Sequence, residues 1–327
     1  MNEHSLLTSW FGLPKNERTF TEGSTLMAIT RIHHMNTASI QGISVLGQHL
    51  VCHVLLLETT DSGLVLVDTG LGSTDYQNIS ARLGWEFAKV YARPTIDPSL
   101  AAIEQIRAMG LHPRDVRHIV QTHLDLDHVG GLSDFPDALV HVHATELDAA
   151  KRRAGLRGKR RYRPKMWAHD PRWRTYSHGG EPWLGFDAVR GLDGLGDDVL
   201  MVPLFGHTHG HCGIAVNTAD GWLLDAGDAY FDAREIKLPR RTCGIGAELF
   251  QLMVTTERRG RRDNQDRLRA LHRDHPEVDV FCGHNPFEYL DMVEKSGGTP
   301  RGISPTRRWT TDNRAVGSGC DDSAVRR

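Results

Sequence analysis

Residues 121–132, QTHLDLDHVGGL, constrain this chain more than any other stretch. Within six positions they carry His123, Asp125, Asp127 and His128. Ile119 and Val120 lie just before with strand composition, and Gly130 and Gly131 follow. Two imidazoles and two carboxylates on one strand-to-helix loop repel one another or demand heavy solvation. A divalent cation removes that problem, and ligand clusters of this kind are how such ions are held. Taken alone, the stretch could also be a solvated acidic turn. The rest of the chain decides between the two.

The chain has 327 residues, enough for one large α/β domain or two smaller ones with a sizeable core. A formal net charge of −2 gives no global pull toward nucleic acid or a membrane surface. Cys52, Cys212, Cys243, Cys282 and Cys320 are scattered, with no CxxC pair. That is neither a disulfide framework nor a zinc–thiolate site, and it fits a reducing compartment. The first 25 residues show no basic segment leading into an apolar one, and no run of about 18 apolar residues occurs. A cytoplasmic protein with no leader or membrane span is expected. The sequence leaves the oligomeric state open.

Residues 1–24 read as an irregular arm, and a strand-like pattern starts at Leu26. The apolar runs 51–57, VCHVLLL, and 64–67, LVLV, flank the turn signal Asp61-Ser62-Gly63 and predict a hairpin of buried strands. The second run ends in Asp68-Thr69-Gly70. Asp68 can close that turn or stand behind a metal ligand as an acceptor, and the two roles are compatible. Asp97, Pro98 and Ser99 open a helix expected to reach Met109 before Gly110. A strand over 116–122 leads into the His/Asp loop. The next strand, 138–143 (ALVHVH), makes His141 and His143 one-face sheet residues. A helix over 145–153 completes an α/β alternation.

Further on, the strand 199–204 runs into Phe205-Gly206-His207-Thr208-His209-Gly210-His211. A second hairpin ends in Asp225-Ala226-Gly227-Asp228-Ala229-Tyr230. After a helix over 263–275, the strand 278–282 ends in Gly283-His284-Asn285-Pro286. One His/Asp loop is weak evidence, whereas several strand ends delivering His or Asp beside glycine imply one convergent site. Past Met292 the composition is polar, so a folded domain over 25–292 and a disordered tail over 293–327 are expected.

Residues 151–185 differ in character. Nine of the fifteen positions 151–165 are Lys or Arg, and Tyr162, Trp167, Trp173, Tyr176 and Trp183 are interleaved or follow. Bases mixed with aromatics can bind single-stranded nucleic acid. They can equally form a lid over a small-molecule pocket, with some attraction for an anionic substrate. The balancing acidic surface favours the lid.

In order, these landmarks resemble the metallo-β-lactamase superfamily: Asp68 at a strand end, an HxHxDH-like loop, a GHTxGH element, a GDA element and a late GH. The likeness spans residues 28 to about 290. It implies an αββα sandwich, two face-to-face β-sheets with helices outside, and a dinuclear metal site at one edge. Carried over position by position, it implies that His123 and His207 bind one ion. Asp127, His128 and His284 would then bind the other, with Asp228 bridging. His211 would be structural or stand behind the ligands, and His209 variable. The chain departs from the pattern at Asp125, where the family has a second histidine. A coordinating carboxylate there adds negative charge and a hard oxygen, which tilts preference toward iron or manganese. Flavodiiron proteins of the superfamily share that carboxylate and carry iron. Two zinc ions remain the expectation for a hydrolase.

The resemblance implies hydrolysis by a metal-bridging hydroxide. Asp127 would orient it and pass a proton to the leaving group. Tyr230, two residues after Asp228, is expected either to support the oxyanion or to pack as an ordinary aromatic. Between Asp228 and His284 lie 55 residues, too few for the extra domain of the nuclease branch. The 43 residues after His284 are too few for a flavin domain, and they lack the helical domain of glyoxalase II enzymes. The absent leader argues against a secreted β-lactamase. The expectation is a lactonase-type hydrolase of a lactone or carboxylic ester, with the aromatic stretch 162–183 forming the acyl pocket. An iron-dependent redox or dioxygenase-type enzyme, and a nucleic-acid-binding protein working through 151–165, are the alternatives.

Overall fold

The computed structural model describes residues 28–41, 50–177 and 179–303. The arm expected over 1–24 and the tail from 304 onward lie outside these residues. One sheet takes its six strands in chain order: β1 (Ile29–Ile40), β2 (Leu50–Thr59), β3 (Leu64–Val67), β4 (Val116–Val120), β5 (Leu139–His143) and β6 (Arg172–Tyr176). The second contains β7 (Glu181–Trp183), β8 (Phe186–Leu192), β9 (Gly196–Pro203), β10 (Cys212–Thr218), β11 (Gly221–Asp225) and β12 (Val278–Phe281). Its spatial order is β12-β11-β10-β9-β8-β7.

Side-chain alternation assigns the layers. In β2 and β3, Leu55, Leu57, Val65 and Val67 point between the sheets, where they meet Met201, Ile214 and Phe281 of the other sheet. Their neighbours Val54, Leu56 and Leu66 face outward onto Ile103, Ile106 and Leu147 of covering helices. On the far side, Val202, Leu224 and Val280 pack under Leu268 and Leu271 of the helix Arg258–Asp274. Strands buried on both faces explain why VCHVLLL and LVLV are apolar runs rather than alternating ones. The result is the expected four-layer αββα sandwich.

Two parallel pairs position the site. β3 lies parallel to β4, and β11 parallel to β12. Parallel neighbours end at the same edge, so loops after β3, β4, β11 and β12 leave the sandwich there.

Three expectations need correction. The helix expected from Asp97 to Met109 is broken. Asp97 caps a short 3-10 turn, Pro98–Leu100, and the α-helix is Ala102–Ala108. The stretch 151–185 is not a separate insertion. After the helix Gly155–Arg161 it supplies β6 to one sheet and β7 to the other. Beyond residue 292 the chain is still ordered, because the helix Pro286–Lys295 passes that boundary. Residues 301 and 302 then dock on β1, where Asn36 Nδ2 donates to the Arg301 carbonyl at 3.1 Å and Ser39 Oγ donates to that of Gly302. Among the described residues no helix is long and apolar enough to cross a membrane.

A buried carboxylate braces the loops at the site edge. Asp75 Oδ2 accepts from Gly72 N at 2.9 Å, and its Oδ1 accepts from Arg82 Nε at 2.9 Å. Burial outweighs these partners and pushes its pKa from 3.8 to about 6. The folded state therefore binds more protons than the unfolded state in that window, and stability falls as pH rises through it. Asp75→Asn is expected to flatten this part of the stability–pH curve, measured by urea unfolding at pH 4 to 7 and compared with wild type. An unchanged slope would rule out the assignment.

Candidate metal centre

Asp68 ends β3 in left-handed backbone, φ 59°, a region that Asp tolerates better than most residues. That turn aims its carboxylate sideways at the β4 loop. Oδ1 accepts from Thr122 N at 2.8 Å, and Oδ2 accepts from Thr122 Oγ1 and His128 Nδ1, both at 2.7 Å. The short helix Leu126–Val129 turns His128 back toward His123. His207, Asp228 and His284 arrive from the loops after β9, β11 and β12.

These residues meet around Asp228. Its Oδ2 lies 3.3 Å from His207 Nε2 and 3.8 Å from His123 Nε2. Its Oδ1 lies 3.2 Å from His284 Nε2 and 3.4 Å from His128 Nε2. Asp125 Oδ2 joins the first group, 3.0 Å from His207 Nε2 and 3.6 Å from His123 Nε2. Asp127 Oδ2 joins the second, 3.5 Å from His284 Nε2. Asp228 therefore faces two donor groups, one with each oxygen.

Hydrogen bonds behind the rings set the tautomers. His128 Nδ1 donates to Asp68, and His284 Nδ1 donates to the Val51 carbonyl at 2.7 Å. The Thr122 hydroxyl gives its proton to Asp68, so it accepts from His123 Nδ1 at 2.9 Å. Each ring then presents a bare Nε2 lone pair inward. His128 Nε2 and His284 Nε2 stand 3.3 Å apart, and His123 Nε2 and Asp228 Oδ1 are buried without a hydrogen-bond partner. Facing lone pairs and orphaned buried acceptors are costly in protein alone. They suit a cation among them, and the His/Asp donor set is that of a first-row divalent metal.

The carboxylates stay ionised for that role. Burial pushes Asp228 up, but the positive charge that the surrounding imidazoles carry until a cation replaces their protons, His284 first and then His128 and His207, outweighs it and holds the group well below its ordinary value. Burial acts likewise on Asp125, where the Arg161 guanidinium and the His123 and His207 rings prevail. Arg161 Nε forms an ion pair with Asp125 Oδ1 at 3.0 Å, leaving Oδ2 for the cluster. Its Nη1 donates to the His207 carbonyl at 3.0 Å and to Thr256 Oγ1 at 2.9 Å.

Several supports carried no sequence signal of their own. Glu146, fully buried, accepts from Leu124 N at 3.1 Å and Gly210 N at 3.0 Å, tying the two histidine loops together. Arg161 sat among nine bases that nothing in the sequence distinguished. The extra buried charge of Asp125 called for a cation, but not for this one. Cys52 Sγ lies within 4.8 Å of donor atoms of Asp127 and His284, and burial pushes its thiol up to about 12.

Some expected residues lie elsewhere. Tyr230 is fully buried outside the sheets, and its hydroxyl donates to Glu288 Oε1 at 3.1 Å. The tight turn after Asp228 carries it to Glu288, and it does not line the cavity. His211 stands behind the cluster. Its Nδ1 donates to the Leu204 carbonyl, and its Nε2 accepts from Asp228 N at 2.9 Å. Gly227, φ 51°, permits this approach, because a Cβ would stand 2.6 Å from that nitrogen. His209 is exposed. His141 bridges His118 and Tyr176 within its sheet, and His143 caps the helix Ala144–Arg152.

A cavity of about 430 Å³ opens onto the cluster. Asp125, Asp127, His207, Asp228 and His284 form its floor. Its apolar walls include Leu50, Phe87, Phe231, Phe250 and Met253. The aromatics of 162–183 do not build it. Tyr162 and Trp173 pack under the first sheet, Tyr176 lies between the sheets, and Trp183 meets Trp222 edge to face.

This fold and donor set define a family. The chain belongs to the metallo-beta-lactamase superfamily, whose family model matches residues 48–284. It is 39% identical over 260 residues to a probable metallo-hydrolase of Mycobacterium tuberculosis, covering 79% of this chain and 81% of the other. An N-acyl homoserine lactonase of Agrobacterium fabrum is 40% identical over 57 residues, 17% of this chain and 22% of that one. The structure of an N-acyl homoserine lactone hydrolase, with N-hexanoyl-L-homoserine at its catalytic metal center, superposes with a TM-score of 0.61 at 18% identity. That match covers 81% of this chain and 96% of the other, and it shows the shared fold.

Removing the acceptor behind His128 tests the site. Asp68→Asn is expected to weaken cation binding about 10- to 100-fold, read by titration with a competing chelator. Wild-type affinity in the folded variant would exclude this support.

Proposed function

We propose that this metallo-hydrolase opens a lactone or another carboxylic ester. His123, Asp125 and His207 would hold one divalent cation and Asp127, His128 and His284 a second, with Asp228 bridging through its two oxygens. The observation that carries this reading is the division of donors around Asp228, with three bare Nε2 atoms turned inward. Cations bound there supply Lewis acidity to a carbonyl and bring the pKa of a water toward neutrality.

The protein's own groups do the rest. Asp127 is half-buried on the cavity floor. It orients the attacking water, takes its proton and returns it to the leaving alkoxide. Arg161 keeps Asp125 aimed. The apolar walls receive the acyl or alkyl arm and exclude bulk water from the ester. The fold shared with a homoserine lactone hydrolase supports a lactone among the substrates. Free Cys52, Cys212, Cys243 and Cys282 support a reducing, cytoplasmic setting.

Zinc is the proposed metal. Asp125 favours a second reading in which iron or manganese takes the position beside it, because hard oxygen donors suit those ions. Elemental analysis of the purified protein, beside a panel of lactones and esters, tests both. Hydrolysis is expected to vanish on chelation and return with metal. Asp127→Asn is expected to lower kcat about 10²- to 10⁴-fold. Hydrolysis that survives complete metal removal would sink the proposal. Iron with no hydrolysis of any ester would transfer it to redox chemistry.

A further inference from the structure

The cavity wall carries charge that the reaction above does not use. Four guanidiniums line it, those of Arg157, Arg160, Arg161 and Arg163. Two are committed to the protein. Arg161 pairs with Asp125, and Arg157 Nη2 donates to the carbonyls of Met253 and Thr255. The other two are not. Among the described residues, the guanidiniums of Arg160 and Arg163 make no hydrogen bond or ion pair, and Arg163 Nε is buried without a partner. Arg163 is also held in place, since it packs on Gly84, where a Cβ would overlap its guanidinium.

The charge balance gives these groups a role. The lining residues carry four guanidiniums and four carboxylates, of which Asp125, Asp127 and Asp228 belong to the cluster and Glu86 lies on the wall. The lining is therefore balanced before any cation binds, and every divalent ion in the cluster makes it net positive. A low-dielectric cleft of one sign concentrates ligands of the other. The buried Arg163 Nε, a donor without a partner, is costly unless a ligand pairs with that guanidinium, while the exposed Arg160 beside it is free to join. The neighbouring wall is apolar, with Leu83, Phe87, Leu156 and Phe250.

We infer that the substrate is an amphipathic anionic ester or lactone: an apolar arm bearing a carboxylate or phosphate, away from the scissile bond, that pairs with Arg160 and Arg163. This rests on the hydrolytic reading above. It adds a specificity site built by the helix Gly155–Arg161 and the residues just after it.

The test separates the two claims by measuring binding apart from turnover. Calorimetric titration of the metal-loaded protein compares octanoate, with one carboxylate, with suberate, with one at each end. Either ligand offers one carboxylate to the cluster, and only suberate carries a second for the arginines of the same cavity. Suberate is expected to bind about tenfold tighter or more, with the ratio falling as NaCl rises from about 0.05 to 0.5 M. An Arg160→Gln, Arg163→Gln double variant is expected to bring the ratio near one. Should it not fold, Arg160→Gln alone, at an exposed position, is expected to lower the ratio. A wild-type ratio near one, or a ratio unchanged in a folded variant, overturns the inference. An ω-phosphonate of octanoate distinguishes the anion, and whichever dianion binds tighter identifies it. Hydrolysis of mono-p-nitrophenyl suberate and p-nitrophenyl octanoate reads the other claim. Neither ester cleaved removes the hydrolase, while the binding ratio still decides the anion site.

Discussion

Everything at the open edge of the sandwich depends on one crowded contact, in which Asp228 takes imidazole nitrogens on both of its oxygens. Four Nε2 atoms lie within 3.8 Å of that carboxylate, and two of them stand 3.3 Å from each other. Such a cluster persists only if each ring is held from behind. Asp68, Thr122 and the Val51 carbonyl do that for His128, His123 and His284, and His211 fixes the Asp228 backbone. Each brace belongs to a strand or lies next to a strand end. The packed sheets therefore bear the cost of holding lone pairs face to face, and a cation relieves the remainder.

Asp125 shows how a change of ligand type spreads outward. A carboxylate in place of an imidazole adds one negative charge to a buried site. Arg161 answers it from the cavity wall, with Nε on Asp125 and Nη1 on the loops of His207 and Thr256. An uncompensated buried charge would be strongly destabilising. A basic helix that reads in sequence as a solvated face therefore belongs to the scaffold of the metal centre.

The loops that build the His/Asp cluster were legible because each follows an apolar run and carries glycine beside its His or Asp. The two sheets were legible for the same reason. What failed was any inference that depended on where a side chain turns after a strand end. Tyr230 lies two residues past Asp228 yet faces Glu288 on the outer side. Residues 172–176, RWRTY, look like part of an aromatic lid, although they form the edge strand β6 and turn Trp173 to one face of the sheet and Tyr176 to the other. Glu146 had no signal at all. Its importance comes from accepting two backbone amides on loops 86 residues apart, Leu124 and Gly210, and no local pattern encodes that.

The floor and the wall of the cavity differ in how freely they can change. Strand ends build the floor, and its donors are fixed by backbone ladders. The helices Gly155–Arg161 and Ile245–Val254 build much of the wall, and they leave Leu156, Ile245 and Leu249 exposed to solvent. Surface segments on a rigid scaffold commonly vary in substrate choice while the chemistry stays constant. Arg161 breaks that separation here. It stands in the same helix turn as Arg157 and Arg160, and its guanidinium is bonded to a residue of the cluster. A substitution that shifts this helix to admit a different substrate must also move the charge that balances Asp125. The shape of the cavity wall and the geometry of the His/Asp cluster are therefore coupled through one side chain in this protein.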